Sequence, residues 1–278
     1  MNSRITISVD ELLRERHPRL ERLLPRSIKD RLERALCIDR INGYIIRNHN
    51  RTTIDFLGRF LRSMGVSYSI NGVENLQVNG RYTIVANYPL GGLDGILLSW
   101  IILSRMGSVR VVVDDLLMAV RPLQHLWLPI SRKGRQSAAV VQRMSEALRS
   151  DTPIITFPAG YCSQHRRGEV VDSAWHPKFI RRAMDHNREV VPVYIDGRLS
   201  NRFYRVARLR RMTGLKTRFE MYMLPAEMYR SQGSKISVHI GAPVSVSEMA
   251  CAGSVFEACE MVRQRVYSMR ENIKNYAI

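Results

Sequence analysis

The chain has 278 residues, 45% of them hydrophobic and 24% charged, enough for a sizeable folded core and unlike a disordered or low-complexity protein. Its 43 Lys and Arg against 25 Asp and Glu leave a net charge of +18, so a polyanionic partner is expected, nucleic acid and anionic lipid both meeting that condition. Four scattered cysteines, Cys37, Cys162, Cys251 and Cys259, lack Cys-x-x-Cys spacing, which excludes a small disulfide-stapled fold and reads as free thiols of a reducing compartment.

The first twenty residues show no apolar core followed by a small-residue cleavage site and do not read as a secretory signal. Ser8 with Glu11 forms a capping-box pattern, Pro18 interrupts, and residues 27–64 carry apolar side chains at helical spacing among many arginines. Ile28, Leu32, Ala35, Leu36 and Ile46 share one face, bordered by Arg31 and Arg40. Ile41 and Ile45 would fall on the opposite side of an unbroken helix, which allows a break near Gly43. Such a basic amphipathic segment either lies on an anionic membrane surface or packs on its own domain with a solvated basic rim. Residues 1–66 are therefore taken as an N-terminal helical region and 67–278 as the catalytic domain. The most apolar run, 96–103, is far shorter than the roughly 20 residues of a spanning helix, so membrane contact is expected to be peripheral.

From Tyr82 the pattern changes to short β-branched runs, at 82–86, 109–113, 153–157, 190–195, 219–224 and 236–240, which predict strands. Helical patterns fall between several of them, at 93–106, 136–150, 177–187 and 201–212, and a long helix is expected over 247–275. Strands alternating with helices predict an α/β fold, a mostly parallel central sheet flanked by helices. Loops at strand ends are then the first places to look for chemistry.

Three such loops stand out. The strand 82–86 runs into Asn87-Tyr88-Pro89-Leu90-Gly91-Gly92-Leu93-Asp94-Gly95, the strand 153–157 into Phe157-Pro158-Ala159-Gly160, and Val191-Pro192-Val193 leads to Gly197. Taken alone, the first is equally a Gly-rich turn in which Asp94 caps a helix. Taken in order, the three resemble the blocks of the lysophospholipid and glycerol-phosphate acyltransferase family: Asn-His with an Asp five or six residues on, Phe-Pro-Glu-Gly, then Val-Pro-Val with a following Gly. The likeness covers about residues 82–244 and is similar to a bacterial branch reading Asn-His-Pro-Leu-Gly-Gly-Leu-Asp and Phe-Pro-Ala-Gly.

The resemblance implies a glycerolipid acyltransferase fold and transfer of an acyl chain from acyl-CoA or acyl carrier protein, as co-substrate, to a lysolipid hydroxyl, with no cofactor and no metal. In the family the His is the general base and the Asp orients it. Mapped onto this chain, Asp94 matches the Asp, but Tyr88 stands in the place of the His. A phenol of unperturbed pKa near 10 is a poor base at neutral pH. Tyr88 and Asp94 are the candidate catalytic pair, with Asn87, Gly91, Gly92, Phe157, Pro158, Ala159 and Gly160 as candidate substrate contacts.

His49 and Asp55 reproduce the His-to-Asp spacing in a helical stretch with no strand before it, and read as a decoy. His125, His165 and His176 lie near the blocks and are candidate substitutes for the missing base, each equally a surface or core histidine. Arg132, Lys133 and Gly134, after the apolar run 126–130, occupy the place of the family's block for the acceptor head group, and Arg can pair bidentately with an oxyanion. The family's Arg after the Phe-Pro block is Cys162 here, so Arg166 and Arg167 are the candidates to replace it. Residues 201–218 interleave seven Lys and Arg with Phe203, Tyr204, Val206 and Leu209, which predicts a second basic amphipathic helix with its aromatics at a membrane interface.

The sequence thus predicts a cytoplasmic acyltransferase, peripheral on the inner membrane surface, whose partners are an anionic membrane, a lysolipid acceptor and an acyl thioester donor. A catalytically silent, lipid-binding relative is the first alternative, suggested by Tyr88. A basic nucleic-acid-binding protein is the second, but no nucleic-acid motif accompanies the charge, and no nucleic-acid partner is expected.

Overall fold

A computed structural model describes residues 5–16, 18–131, 136–166, 168–215 and 218–276. In chain order the elements are α1 (Val9–Arg16), α2 (Pro18–Leu23), α3 (Arg26–Ala35), α4 (Ile38–Asn48), α5 (Thr53–Ser63), β1 (Ser67–Asn71), β2 (Tyr82–Ala86), α6 (Gly92–Met106), β3 (Arg110–Asp114), β4 (Trp127–Ile130), α7 (Ala138–Arg149), β5 (Ile154–Thr156), β6 (Gln164–Arg166), β7 (Glu169–Val171), α8 (Lys178–Asp185), β8 (Glu189–Asp196), α9 (Asn201–Met212), α10 (Leu224–Arg230), β9 (Lys235–Ile240), α11 (Val246–Ala250) and α12 (Val255–Tyr276).

Seven strands form one sheet in the order β1-β9-β8-β2-β5-β3-β4, and β6 and β7 form a separate antiparallel hairpin. Within the sheet only the β8–β9 pairing is antiparallel; β2 is parallel to both of its neighbours, β5 and β8. A central parallel strand is covered on both faces, which is why Tyr82–Ala86 is an unbroken buried run rather than an alternating one. Helix α6 follows the same logic: its apolar sequence buries Leu93, Leu97, Leu98, Ile101 and Ile102.

The N-terminal helices differ from expectation. The chain breaks at Cys37, which takes the left-handed conformation (φ 54°) between α3 and α4, and α4 runs through Gly43. Because the break resets the helical phase, Ile45 is buried while Ile28 and Ile46 are each 40% exposed. Phe56, Leu57, Phe60 and Leu61 of α5 belong to the same core cluster as Ile84 of β2 and Leu97 of α6, so these helices pack onto the sheet. Residues 219–224, read as a strand, are instead a short 3-10 turn leading into α10. Pro225 explains the difference, since proline suits the first turn of a helix and cannot donate to a ladder. The long C-terminal helix is divided into α11 and α12.

Arg188 is fully buried at the start of β8 and donates to the carbonyls of Tyr82, Leu148, Ser150 and Thr152, at 2.7, 3.2, 2.6 and 2.6 Å. Burial, with Arg81 nearby, pushes its guanidinium down to about 10, which leaves it charged at neutral pH. It ties the amino ends of β2 and β5 to the end of α7. The carboxyl ends of the same strands are left free to carry loops.

Candidate active site

Because β8, β2 and β5 are adjacent and parallel, their carboxyl ends present the three sequence blocks side by side. Side chains join them. Asn87 donates through Nδ2 to the Ile195 carbonyl (2.8 Å) and accepts at Oδ1 from the Ile195 amide (2.7 Å), extending the β2–β8 ladder past the last strand residue. Expected as a substrate contact, Asn87 is instead engaged with backbone and fixes where the loop leaves the sheet. The ring of Tyr88 stacks on Phe157, with centroids 4.5 Å apart and planes inclined by 27°. Gly197, after β8, lies against Leu90, whose Cδ1 would be 2.8 Å from an added Cβ.

The backbone of Tyr88 is held on both sides. Its amide donates to Asp172 Oδ1 (3.3 Å) and its carbonyl accepts from the Ser163 amide (2.8 Å). Ser163 Oγ donates to the same Asp172 oxygen at 2.5 Å, Trp175 Nε1 donates to Oδ2 at 2.9 Å, and the Asp172 amide donates to Tyr267 Oη at 2.8 Å. Asp172, 3% exposed, is thus a buried peg behind Tyr88. Burial raises its carboxyl above the usual range, against the lowering pull of its donors. Nothing local announces this residue in the sequence: it lies beyond the hairpin β6–β7, outside all three blocks.

Asp94 sits in the first turn of α6 and is completely buried. Its Oδ2 accepts from the Leu90 amide (2.6 Å), closing the loop back on itself, while Oδ1 has no hydrogen-bond partner among the described residues. Burial drives its carboxyl well above the ordinary range; the backbone amides of Leu90 and Gly91 oppose this, and the carboxyl of Asp172 adds to it. A histidine in the first block would supply a ring N–H and a cation. Here no histidine among the described residues hydrogen-bonds Asp94, so no such partner opposes the effect of burial.

The glycines serve packing. Gly91 has φ +68° and ψ −127°, a conformation restricted to glycine, and an added Cβ would come within 3.0 Å of Leu224 Cδ2 and 3.3 Å of Cys162 Sγ. A Cβ added at Gly92 would meet Met228 Sδ at 3.5 Å. The space they open is thus filled by α10 and Cys162. Pro158 and Ala159 are buried, and Gly160, exposed with φ +67°, closes a turn through its amide to the Phe157 carbonyl (2.9 Å). Arg166 is exposed on β6. Arg132, Lys133, Gly134 and Arg167 lie outside the described residues.

The substitute histidines are spoken for or exposed. His49 Nδ1 bonds the Ile46 carbonyl, His125 Nε2 lies 2.8 Å from Thr53 Oγ1, His165 packs beside the Tyr204 ring, and the His176 amide donates to the Pro158 carbonyl. The prediction for α9 also needs correction. Phe203 and Tyr204 are buried in a cluster with Cys162 and Leu199, against which Tyr88 and Leu224 pack, so these aromatics support the site loop and do not face an interface. The exposed apolar residues of this segment are Leu209 and Met212, with Leu215 beyond the helix. None of the four cysteines is in a disulfide.

Residues 11–275 fit the family described as Acyltransferase. The chain is 31% identical over 269 residues to the lyso-glycine lipid O-acyltransferase of Bacteroides thetaiotaomicron, covering 96% of this chain and 99% of the relative. Likeness to the enzyme of the same name from Phocaeicola vulgatus is also 31%, over 264 residues and 95% of each chain. In fold it is similar to the 1-acyl-sn-glycerophosphate acyltransferase PlsC of Thermotoga maritima, with a TM-score of 0.53 at 19% identity, over 80% of this chain and 78% of that one. The ordered strand-end blocks, their assembly at one edge of the sheet and these full-length likenesses agree: this chain is an O-acyltransferase and belongs to the lysophospholipid acyltransferase family.

Proposed function

We propose that the chain transfers a fatty acyl group from acyl-CoA or acyl carrier protein to the hydroxyl of a lyso-glycine lipid at the cytoplasmic face of the inner membrane. The acceptor assignment is carried by the near-complete likeness to two lyso-glycine lipid O-acyltransferases. In the reaction the acceptor oxygen attacks the thioester carbonyl, the C–O bond forms as the C–S bond breaks, and the hydroxyl proton passes to the departing thiol. Tyr88 occupies the position from which the family's base handles that proton, on a loop whose backbone Asp172 and Ser163 hold rigid. Asp94 closes the loop through Leu90. A glycine head group offers a carboxylate, and Arg132, Lys133, Arg166 and Arg167 are the cations assigned to it. Peripheral attachment is supported by the net charge of +18; among the described residues no helix is long and apolar enough to cross a membrane.

The test uses purified full-length chain with lyso-glycine lipid, lysophosphatidic acid and lysophosphatidylethanolamine as acceptors, each with palmitoyl-CoA and palmitoyl acyl carrier protein, and mass spectrometry of the products. Diacylated glycine lipid is the expected product. Acylation of the phospholipid acceptors alone would overturn the acceptor, and product from one donor only would fix the donor.

A further inference from the structure

A cavity of about 530 Å³, whose lining does not include Tyr88, lies between the helices α3 and α4, the start of α9 and the segment carrying Tyr222 and α10. Arg34, Arg40, Arg202 and Arg230 line it, together with Met223 and Tyr229. Their charges are not balanced. Arg230 pairs with Glu227, but that buried carboxylate is already occupied by the Ser200 amide (2.8 Å) and Ser200 Oγ (2.9 Å). Arg40 lies 4.0 Å over the Tyr229 ring. Among the described residues, Arg34, Arg40 and Arg202 have no carboxylate within ion-pair distance, whereas Lys29, Arg59, Arg210, Arg265 and Arg270 each have one.

Helix stability accounts for Arg34, a cation in the last turn of α3, but not for Arg202. Arg202 is in the first turn of α9, where a cation opposes the helix dipole. Three exposed guanidinium groups without a carboxylate partner, Arg34 donating through Nε only to the Asp30 carbonyl (3.3 Å), thus line one cavity and give it a positive potential that attracts an anion. The walls describe the rest of the ligand. Ile28 stands two turns before the lining residue Ala35 on the same face of α3, and Leu209 two turns after Arg202 on the same face of α9. Both are exposed, at 40% and 62%, as is the lining residue Tyr222 at 58%. A cationic cavity bordered by exposed apolar side chains on both walls fits an amphiphile, not a free anion.

We infer that this cavity binds the head group of one anionic phospholipid, its phosphodiester on Arg34, Arg40 and Arg202 and its chains over Tyr222, Ile28 and Leu209. The lipid is a docking ligand, separate from the acceptor that reacts at the Tyr88 loop: Leu224 and Met228 of α10 face Gly91 and Gly92, while Ala226 and Tyr229 of the same helix line the cavity. Its biological sense rests on the membrane-surface part of the proposed function.

The test needs no membrane. Dihexanoyl phosphatidylglycerol and dihexanoyl phosphatidylcholine, both below their micelle concentrations, are titrated calorimetrically into the full-length chain, with glycerol phosphate and coenzyme A as soluble phosphate probes. Saturable one-to-one binding of phosphatidylglycerol is expected, weakened by roughly tenfold or more in Arg40→Gln/Arg202→Gln, as loss of charge-assisted contacts implies. Arg202→Gln alone removes no ion pair within the protein and should weaken binding in the same direction. The charge-matched control Arg143→Gln/Arg181→Gln, on α7 and α8, should bind as wild type. Equal binding of phosphatidylcholine, equal weakening in the control, or tighter binding of coenzyme A or glycerol phosphate at these arginines would each overturn the inference. Because no vesicle is present, failure of the chain to sediment with anionic liposomes would remove the membrane reading and leave this result standing.

Discussion

The amide of Tyr88 donates to Asp172 Oδ1, so the residue in the place of the family's base is anchored through its backbone by a carboxylate that also binds Ser163 and Trp175. The three groups hydrogen-bonded to the Asp172 carboxylate, the Tyr88 amide, Ser163 Oγ and Trp175 Nε1, all donate to it. Asp172→Asn should therefore present an NH2 to one of those donors, costing about 1–3 kcal/mol for the unsatisfied group and loosening Tyr88. Thermal unfolding should show the lost stability, and kcat should fall with KM little changed, because the loop is displaced while the acceptor contacts are not. An unchanged kcat in a folded variant would remove Asp172 from the positioning of Tyr88.

Asp94 gives a pH-dependent signature. Its folded-state carboxyl is raised by burial and by Asp172, against an unfolded value of about 4. Below that value both states are protonated and the group costs nothing. As pH rises, the unfolded chain ionises first, so the folded state loses stability up to its own raised pKa. Asp94→Asn keeps an acceptor for the Leu90 amide and removes this penalty. Its melting temperature should match wild type near pH 4 and exceed it increasingly toward neutrality, while its turnover falls, a stability gain with an activity loss. A difference that stays constant with pH would show that the carboxyl ionises alike in both states.

Much of this site was legible because the informative residues are local. Tyr82–Ala86, the loop through Asp94 and the block Phe157 to Gly160 each announce themselves within a few residues, and burial of β2 on both faces makes its apolar run continuous. What escaped is non-local or ambiguous. Asp172 joins the loop only through folding. Strand β1, Ser67–Asn71, is polar and mostly exposed at the sheet edge, and carries no alternation to read. Phe203 and Tyr204 have the pattern of an interfacial helix but are buried in the fold, a distinction that depends on what covers that face.

Arg188 tests the scaffold independently of the chemistry. Its guanidinium is fully buried and donates to four carbonyls, Tyr82 and Thr152 at the amino ends of β2 and β5 and Leu148 and Ser150 at the end of α7, with no carboxylate among them. Arg188→Leu fills much of the volume but takes this donor from the Tyr82, Ser150 and Thr152 carbonyls, while Leu148 keeps Arg81 Nη2 (3.1 Å). A loss of about 3–5 kcal/mol is expected, the scale for breaking a buried charged network, read as a lower denaturant midpoint. Arg188→Lys should recover only part of it, since one ammonium cannot reproduce the planar fork. Equal stability of the Leu variant would mean that water replaces the guanidinium.

Position 88 is where the proposed chemistry is tested. Asp94 Oδ1 is buried without a hydrogen-bond partner among the described residues, and the family's histidine in this block is oriented by that aspartate. Tyr88→His introduces a ring N–H to use such an acceptor and a base of pKa near 6.5, and the imidazole is smaller than the phenol it replaces on Phe157. Acyl transfer should rise, by up to the ~10²–10⁴-fold of a positioned base. Tyr88→Phe keeps the stacked ring and removes only the hydroxyl. If that hydroxyl handles the acceptor proton, the Phe variant loses activity and the His variant gains it. If Phe is as active as Tyr and His is no better, no proton passes through this position. Proton transfer then belongs to another group at the carboxyl edge of the sheet, and Tyr88 acts only by holding Phe157 and the loop in place.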